Sequence, residues 1–160
     1  MNPPSLRPAR AADLEAIVRL HATDTLGGHG DVWSEETRPG YEAAFAAILD
    51  SADNALFVAV ENAGEGKGEG DEVVGVFQIT LIPCIPARGG ARARIEGVQV
   101  RPDRRSAGIG ALMMAHAEDW ARERGAAFVE LGSNKLRADA HRFYRRLGYA
   151  QSHEGFKKRL

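Results

Sequence analysis

The stretch Ile95-Glu96-Gly97-Val98-Gln99-Val100-Arg101-Pro102-Asp103-Arg104-Arg105-Ser106-Ala107-Gly108-Ile109-Gly110 decides how the chain is read. Its first residues close a strand over Arg92–Val100, and its end opens a helix over Gly108–Arg124 that carries Leu112, Met113, Ala115, His116 and Trp120 at helical spacing. Between them lies a tight turn. Backbone N–H groups at a helix start have no partner inside the helix, and they and the helix dipole both favour an anion. Gly108 and Gly110 permit unusual backbone conformations and a close approach, Ser106 adds a hydroxyl, and Arg104 and Arg105 add cationic donors. A bulky pyrophosphate suits such a turn. It is not a Walker A loop, which needs Gly-Lys-Ser/Thr, nor a dinucleotide fingerprint, whose three glycines follow the first strand at another spacing. On these residues alone, glycines serving turn geometry and nothing else is an open reading.

Toward the N-terminus, strands and helices alternate. Leu6–Pro8 reads as a short strand, and Ala11-Ala12-Asp13 opens a helix whose stripe is Leu14, Ile17, Val18 and Leu20, ending by Gly27-Gly28. A loop with His29, Asp31 and Trp33 leads to a second helix with Tyr41, Ala44, Phe45, Ile48 and Leu49. Ala55–Val60 and Val73–Ile82 are strands. Residues 63–71 between them are almost all glycine and charge, with too little apolar surface to fold alone, and read as a flexible hairpin loop. Toward the C-terminus come a strand over Ala127–Leu131, a helix over Asp139–Leu147 stopped by Gly148, and a strand pair in Tyr149–Leu160 around His153-Glu154-Gly155.

This order predicts one α/β (α+β) domain over residues 1–160 with a mixed sheet. The chain has 21 Lys and Arg against 22 Asp and Glu, so no global charge calls for nucleic acid or a membrane surface, and Lys157-Lys158-Arg159 is too small a cluster for a polyanion footprint. The one cysteine, Cys84, sits among apolar and rigid neighbours and is expected to be a packed structural thiol. Neither a Cys-based zinc site nor any other metal spacing is present in the sequence. Without an apolar run of signal-peptide or membrane-span length, a cytoplasmic location is expected.

Two segments together carry a resemblance. Val98 to Gly110, a strand ending in valine followed by Pro102 and then Arg105-Ser106-Ala107-Gly108-Ile109-Gly110, resembles the acetyl-CoA motif of the GNAT superfamily of N-acetyltransferases, with Ser106 where a glycine is usual. Ala140-His141-Arg142-Phe143-Tyr144-Arg145-Arg146-Leu147-Gly148-Tyr149 resembles that family's second signature, in the expected order and separation. The resemblance implies a mostly antiparallel sheet of about seven strands flanked by about four helices. It implies acetyl-CoA as cosubstrate and no metal, and an amine acceptor, a small molecule or peptide, attacked directly in a ternary complex. A homodimer is consistent with the family's habit. A non-catalytic acetyl-CoA sensor or interaction domain is the rival reading.

Site residues follow residue by residue. The main chains of Val98, Gln99 and Val100 should pair with the pantetheine arm, the Val98 N–H polarising the acetyl carbonyl, while Arg105, Ser106, Ala107, Gly108, Ile109, Gly110 and Ala111 hold the pyrophosphate. Glu96, on the Val98 side of its strand, is the candidate base acting through water, against a plain surface or ion-paired role beside Arg94 or Arg92. Tyr144 is the candidate acid for the leaving thiolate, and also a cofactor contact, because a phenol stays protonated at neutral pH. Where the family often has Asn this chain has Arg137, so Asn134 is taken as the cofactor contact and Arg137 as a possible phosphate ligand. The acceptor cleft is expected between His29, Asp31, Trp33, Glu35 and Glu36 on one side and His153, Glu154 and Phe156 on the other, acidic and aromatic groups that suit a cationic amine.

Overall fold

The structure, a computed structural model, describes residues 3–26, 29–62 and 70–160. Strands β1 (Ser5–Pro8), β2 (Asn54–Asn62), β3 (Asp71–Ile82), β4 (Ala91–Val100) and β5 (Ala126–Leu131) lie side by side in chain order. The first three junctions are antiparallel, whereas β4 and β5 run parallel. A parallel pair needs a crossover, and helix α3 (Ile109–Glu123) supplies it. The remaining helices are α1 (Leu14–Ala22), α2 (Arg38–Asp50) and α4 (Ala138–Arg146).

Alternation along β2 makes the sheet two-sided. Phe57 and Ala59 join Ile109, Met113, Met114, Ala117 and Trp120 of α3, while Leu56, Val58 and Val60 join Leu14, Ile17, Val18 and Leu20 of α1 and Phe45 of α2. The sequence stripes of these helices therefore face where their spacing predicts. Contact is tight at Gly75 of β3, where a Cβ would lie 2.7 Å from the Met113 sulfur. Replacing Gly75 would force the Met113 side chain to shift within a densely packed core.

Three expectations are adjusted. Helix α1 stops at Ala22, before the two glycines, because the Thr23 hydroxyl donates to the Leu20 carbonyl at 2.7 Å and offers the backbone another partner. Gly27 and Gly28 themselves, and residues 63–69 of the Gly/charge-rich stretch, lie outside the described residues, although Asn62 pairs with Asp71 across it as a hairpin requires. The sheet has five strands among the described residues, not about seven: no strand forms in Tyr149–Leu160. Residues 151–160 are all exposed, with Phe156 at 98%. Only Phe156 and Leu160 among them are large and apolar, so that segment lacks the alternating face that would seat it on the sheet. No helix among the described residues is long and apolar enough to cross a membrane.

Candidate active site

Strand β4 loses its neighbour halfway along. It pairs with β5 only over Ala91–Ile95, because β5 ends at Leu131 while β4 runs on to Val100. On its other edge, Val76 faces Gln99 and Gln78 faces Glu96, which leaves Gly97 and Val98 together opposite Phe77 as a bulge. Gly97 takes φ +60°, a conformation that glycine adopts without strain. From Glu96 to Val100, backbone groups directed toward the β5 side therefore have no strand partner among the described residues and are available to a ligand.

The anion turn follows directly. Pro102–Arg104 makes a single 3-10 turn, and Ser106 (φ +65°) and Gly108 (φ +81°) both adopt left-handed conformations before α3 begins. Among the described residues no side chain caps Gly108, so the N–H groups of Ile109, Gly110 and Ala111 remain for a bound group. Arg105, Ser106, Ala107 and Gly108 are exposed, and the buried Ile109 anchors the turn to the core. The two neighbouring arginines divide their work: Arg104 is ion-paired with Glu61, whereas Arg105 stays at the surface with its Nε 3.3 Å from the Val100 carbonyl. Gly110 serves packing, since a Cβ there would come 3.1 Å from Cζ of Phe143. These donors and the parted strand fit a long phosphate-bearing cosubstrate such as acetyl-CoA.

Tyr144 lies on α4 between Phe143, with ring centroids 5.2 Å apart, and Tyr149, at 6.0 Å. The Tyr149 hydroxyl is committed to Glu118 at 3.1 Å; that of Tyr144 has no hydrogen-bond partner among the described residues. Burial pushes the Tyr144 phenol up from its ordinary value, and the nearby Arg137 guanidinium offsets only part of this, so the group is a proton donor at neutral pH. Asn134 is exposed and turns its Oδ1 to the Leu136 N–H at 3.0 Å, shaping the loop before α4. Arg137 is ion-paired with Asp24, at the end of α1, and so bridges the gap between α1 and that loop. Its partner is thus a carboxylate of this chain.

On the α1 side, Glu96 is exposed and accepts from Arg94 Nε at 3.2 Å, while Arg94 also reaches Glu130 at 3.4 Å. Asp31 accepts from the Tyr41 hydroxyl at 3.0 Å, and Trp33 stacks on Tyr41 with centroids 6.2 Å apart, so the loop before α2 is ordered around that tyrosine. His29, Glu35 and Glu36 are exposed. The structure does not bring His153, Glu154 and Phe156 opposite them, since all three lie in the exposed C-terminal segment.

Two residues of this side escaped the sequence reading. His21 is half-buried and sits against Gly97: a Cβ there would lie 3.1 Å from its Cε1 and 3.5 Å from its Nε2. Burial holds its imidazole below the ordinary value, against the pull of the Asp31 and Asp24 carboxylates. Asp24 takes Arg137 and, at 3.4 Å, the Gln99 amide on the same oxygen. Burial raises its carboxyl and the Arg137 guanidinium more than reverses that, for a net lowering. The available signal was Gly97 itself, since a glycine inside a strand marks a bulge or a close approach. It could not say which side chain approaches.

A parted parallel strand pair, an uncapped helix start and a half-buried phenol on the neighbouring helix define an acyltransferase-type fold. The chain belongs to the Acetyltransferase (GNAT) family, whose model matches residues 14–149. Aminoalkylphosphonate N-acetyltransferase of Salmonella typhimurium is 48% identical over 66 residues, covering 41% of this chain and 43% of that protein. Streptothricin acetyltransferase of Streptomyces lavendulae is 35% identical over 111 residues, 69% of this chain and 52% of that one. The chain spans about half the length of the curated relatives it matches. Among solved structures, a transcriptional regulator from Bacillus halodurans C-125 superposes with a TM-score of 0.88 at 35% identity, over 99% of this chain and 100% of the other. Among the described residues no group of three or more His, Cys, Asp or Glu side chains could hold a metal ion.

Proposed function

We propose that the chain moves the acetyl group of acetyl-CoA to a primary amine by direct attack in a ternary complex. The observation that supports this best is the coincidence of the open β4 edge at Glu96–Val100 with the uncapped start of α3 and the half-buried Tyr144. Residues 105–111 would hold the pyrophosphate, and the open backbone of Val98, Gln99 and Val100 the pantetheine. The Val98 N–H would then stabilise charge developing on the thioester oxygen. Tyr144 gives its proton to the departing sulfur. Asn134 keeps its amide N–H groups free of its own turn and is read as a further cofactor contact. Glu96, exposed beside Arg94, is read as a base that acts through water. The names of the two curated relatives support an amine acceptor. A cytoplasmic setting, where acetyl-CoA is made and used, goes with this reading.

A second reading rests on the name of the Bacillus halodurans relative, a transcriptional regulator: an acetyl-CoA-responsive interaction domain without turnover. A thiol-release assay across a panel of amines separates the two. Release that depends on the amine and collapses in Tyr144→Phe supports transfer. Tight acetyl-CoA binding with no release for any amine supports the sensor.

A further inference from the structure

We propose that the C-terminal end of α1 is the acceptor-amine subsite: Asp24 draws in the substrate's ammonium in place of Arg137, and His21 takes the proton that frees the nitrogen lone pair. This rests on the transfer reading above and assigns it residues that neither sequence motif contains.

Location comes first. The His21 ring lies against Gly97, whose next residue is Val98, so the imidazole stands at the bulge where an acetyl group would be presented. Any side chain at position 97 would occupy the space between them. Among the described residues His21 makes no side-chain hydrogen bond, which leaves a ring nitrogen for a ligand. Glu96 on the same strand is exposed and tied to Arg94, a poorer place from which to strip a proton inside the groove.

Asp24 supplies the second observation. It already holds a cation: the Arg137 guanidinium reaches across the groove from the loop before α4. The carboxylate is largely shielded, with 14% of its side-chain surface exposed, and two neutral donors steady it, the Gln99 amide at 3.4 Å and the Leu26 N–H at 3.2 Å. An ammonium entering from the α1–α2 side would compete with Arg137 for this oxygen. The carbonyl end of α1 adds a further preference for positive charge.

The protonation states agree. A free alkylammonium with pKa near 10.4 arrives charged at pH 7. His21, held below its ordinary value by burial, arrives neutral and can accept. The charged groups that act on it are Asp24 and Asp31, which favour its cation, and His29, which opposes it, while Gln99 of β4 and Arg137 meet Asp24. Nitrogen gives up two protons overall. His21 takes the first before the N–C bond forms, which frees the lone pair for attack, and passes it to water. Tyr144 protonates the sulfur as the C–S bond breaks, and is restored by the second proton from nitrogen. Amide, thiol and one released proton balance the equation.

The test measures amine-dependent thiol release against pH for wild type, His21→Gln, Asp24→Asn and Glu96→Gln, with an aminoalkylphosphonate, an amino sugar and a diamine as probes. Acetyl-CoA affinity is measured separately by calorimetry, and the His21 imidazole is followed by NMR as amine is added. We expect His21→Gln to lower kcat/KM about 10²–10⁴-fold, the range for a lost general base. It should also abolish the acid limb of the profile below pH 6.5 and leave acetyl-CoA affinity unchanged. Asp24→Asn should raise KM for the amine more than it lowers kcat. An active wild type whose acid limb and rate survive His21→Gln overturns the subsite alone. Loss of rate in His21→Gln matched by loss of acetyl-CoA affinity also overturns it, by making the residue structural. A wild type that binds acetyl-CoA, acetylates no amine and shows no amine-induced shift at His21 overturns both readings.

Discussion

The two sides of the groove are built differently. On the turn side the working groups are backbone atoms, contiguous in sequence, and their positions follow from an unpaired strand edge and a left-handed Gly108. On the α1 side they are side chains gathered from α1, β4 and the loop before α4, and each depends on another: His21 on the absence of a side chain at Gly97, Asp24 on Arg137, Asp31 on Tyr41. Backbone sites tolerate most substitutions and fail at a few glycines. Side-chain sites fail gradually, through loss of partners. The first kind would suit the proposed cosubstrate, which never changes; the second would suit the proposed acceptor, which does.

The sharpest way to break this comparison is Tyr144→Phe, which leaves both sides standing and removes only the proposed acid. It should lower kcat about 10²–10⁴-fold with acetyl-CoA affinity unchanged, measured by thiol release and calorimetry. An equal loss of affinity would place Tyr144 among the groups that merely hold the ligand. Next, Gly108→Val forces a branched side chain into φ +81°, at a cost of about 1–3 kcal/mol. Acetyl-CoA binding should weaken roughly 10–100-fold by calorimetry, while KM for the amine barely moves. If the amine KM moves equally, the two sides are not separate.

Arg137→Met addresses the other side. It strips the cation from Asp24 and leaves a shielded carboxylate, so urea unfolding should show a loss of about 1–3 kcal/mol, partly recovered in the double variant with Asp24→Asn. Absence of recovery would mean that the pair is not coupled. A smaller effect concerns pH. The unfolded chain protonates His21 below about pH 6.5, whereas the folded chain resists it, so unfolding takes up a proton and stability falls as pH drops from 6.5 toward the folded value. The Tm of wild type should therefore fall more between pH 7 and 5.5 than that of His21→Asn. Smallest of all, Phe156→Ser should change stability by no more than about 0.5 kcal/mol, because the ring is exposed and touches neither side. A larger loss by thermal melting would show that the tail covers part of the groove.

Much of the turn side was legible in the sequence, since its information is local: a strand, a proline, spaced glycines and a helix stripe follow one another, and Tyr144 sits in its own signature. The two-layer core was legible for the same reason, from the stripes of α1 and α3. What was hidden depends on contacts between distant segments. That Arg104 turns inward to Glu61 while Arg105 stays at the surface cannot be seen from two adjacent arginines. Nor can the pairing of Asp24 with Arg137, which joins the end of the first helix to the start of the last. The tail misled because glycine between polar residues looks like a hairpin whether or not a sheet edge receives it.

Gly110 was described as a packing residue, yet its contact with Phe143 has a metric consequence. Phe143 precedes Tyr144, so the place where one end of a ligand is gripped and the place where its other end reacts are separated by a span that this glycine–phenyl contact fixes. The domain thereby acts as a gauge. A methyl group at position 110 would press on the Phe143 ring and reset that span.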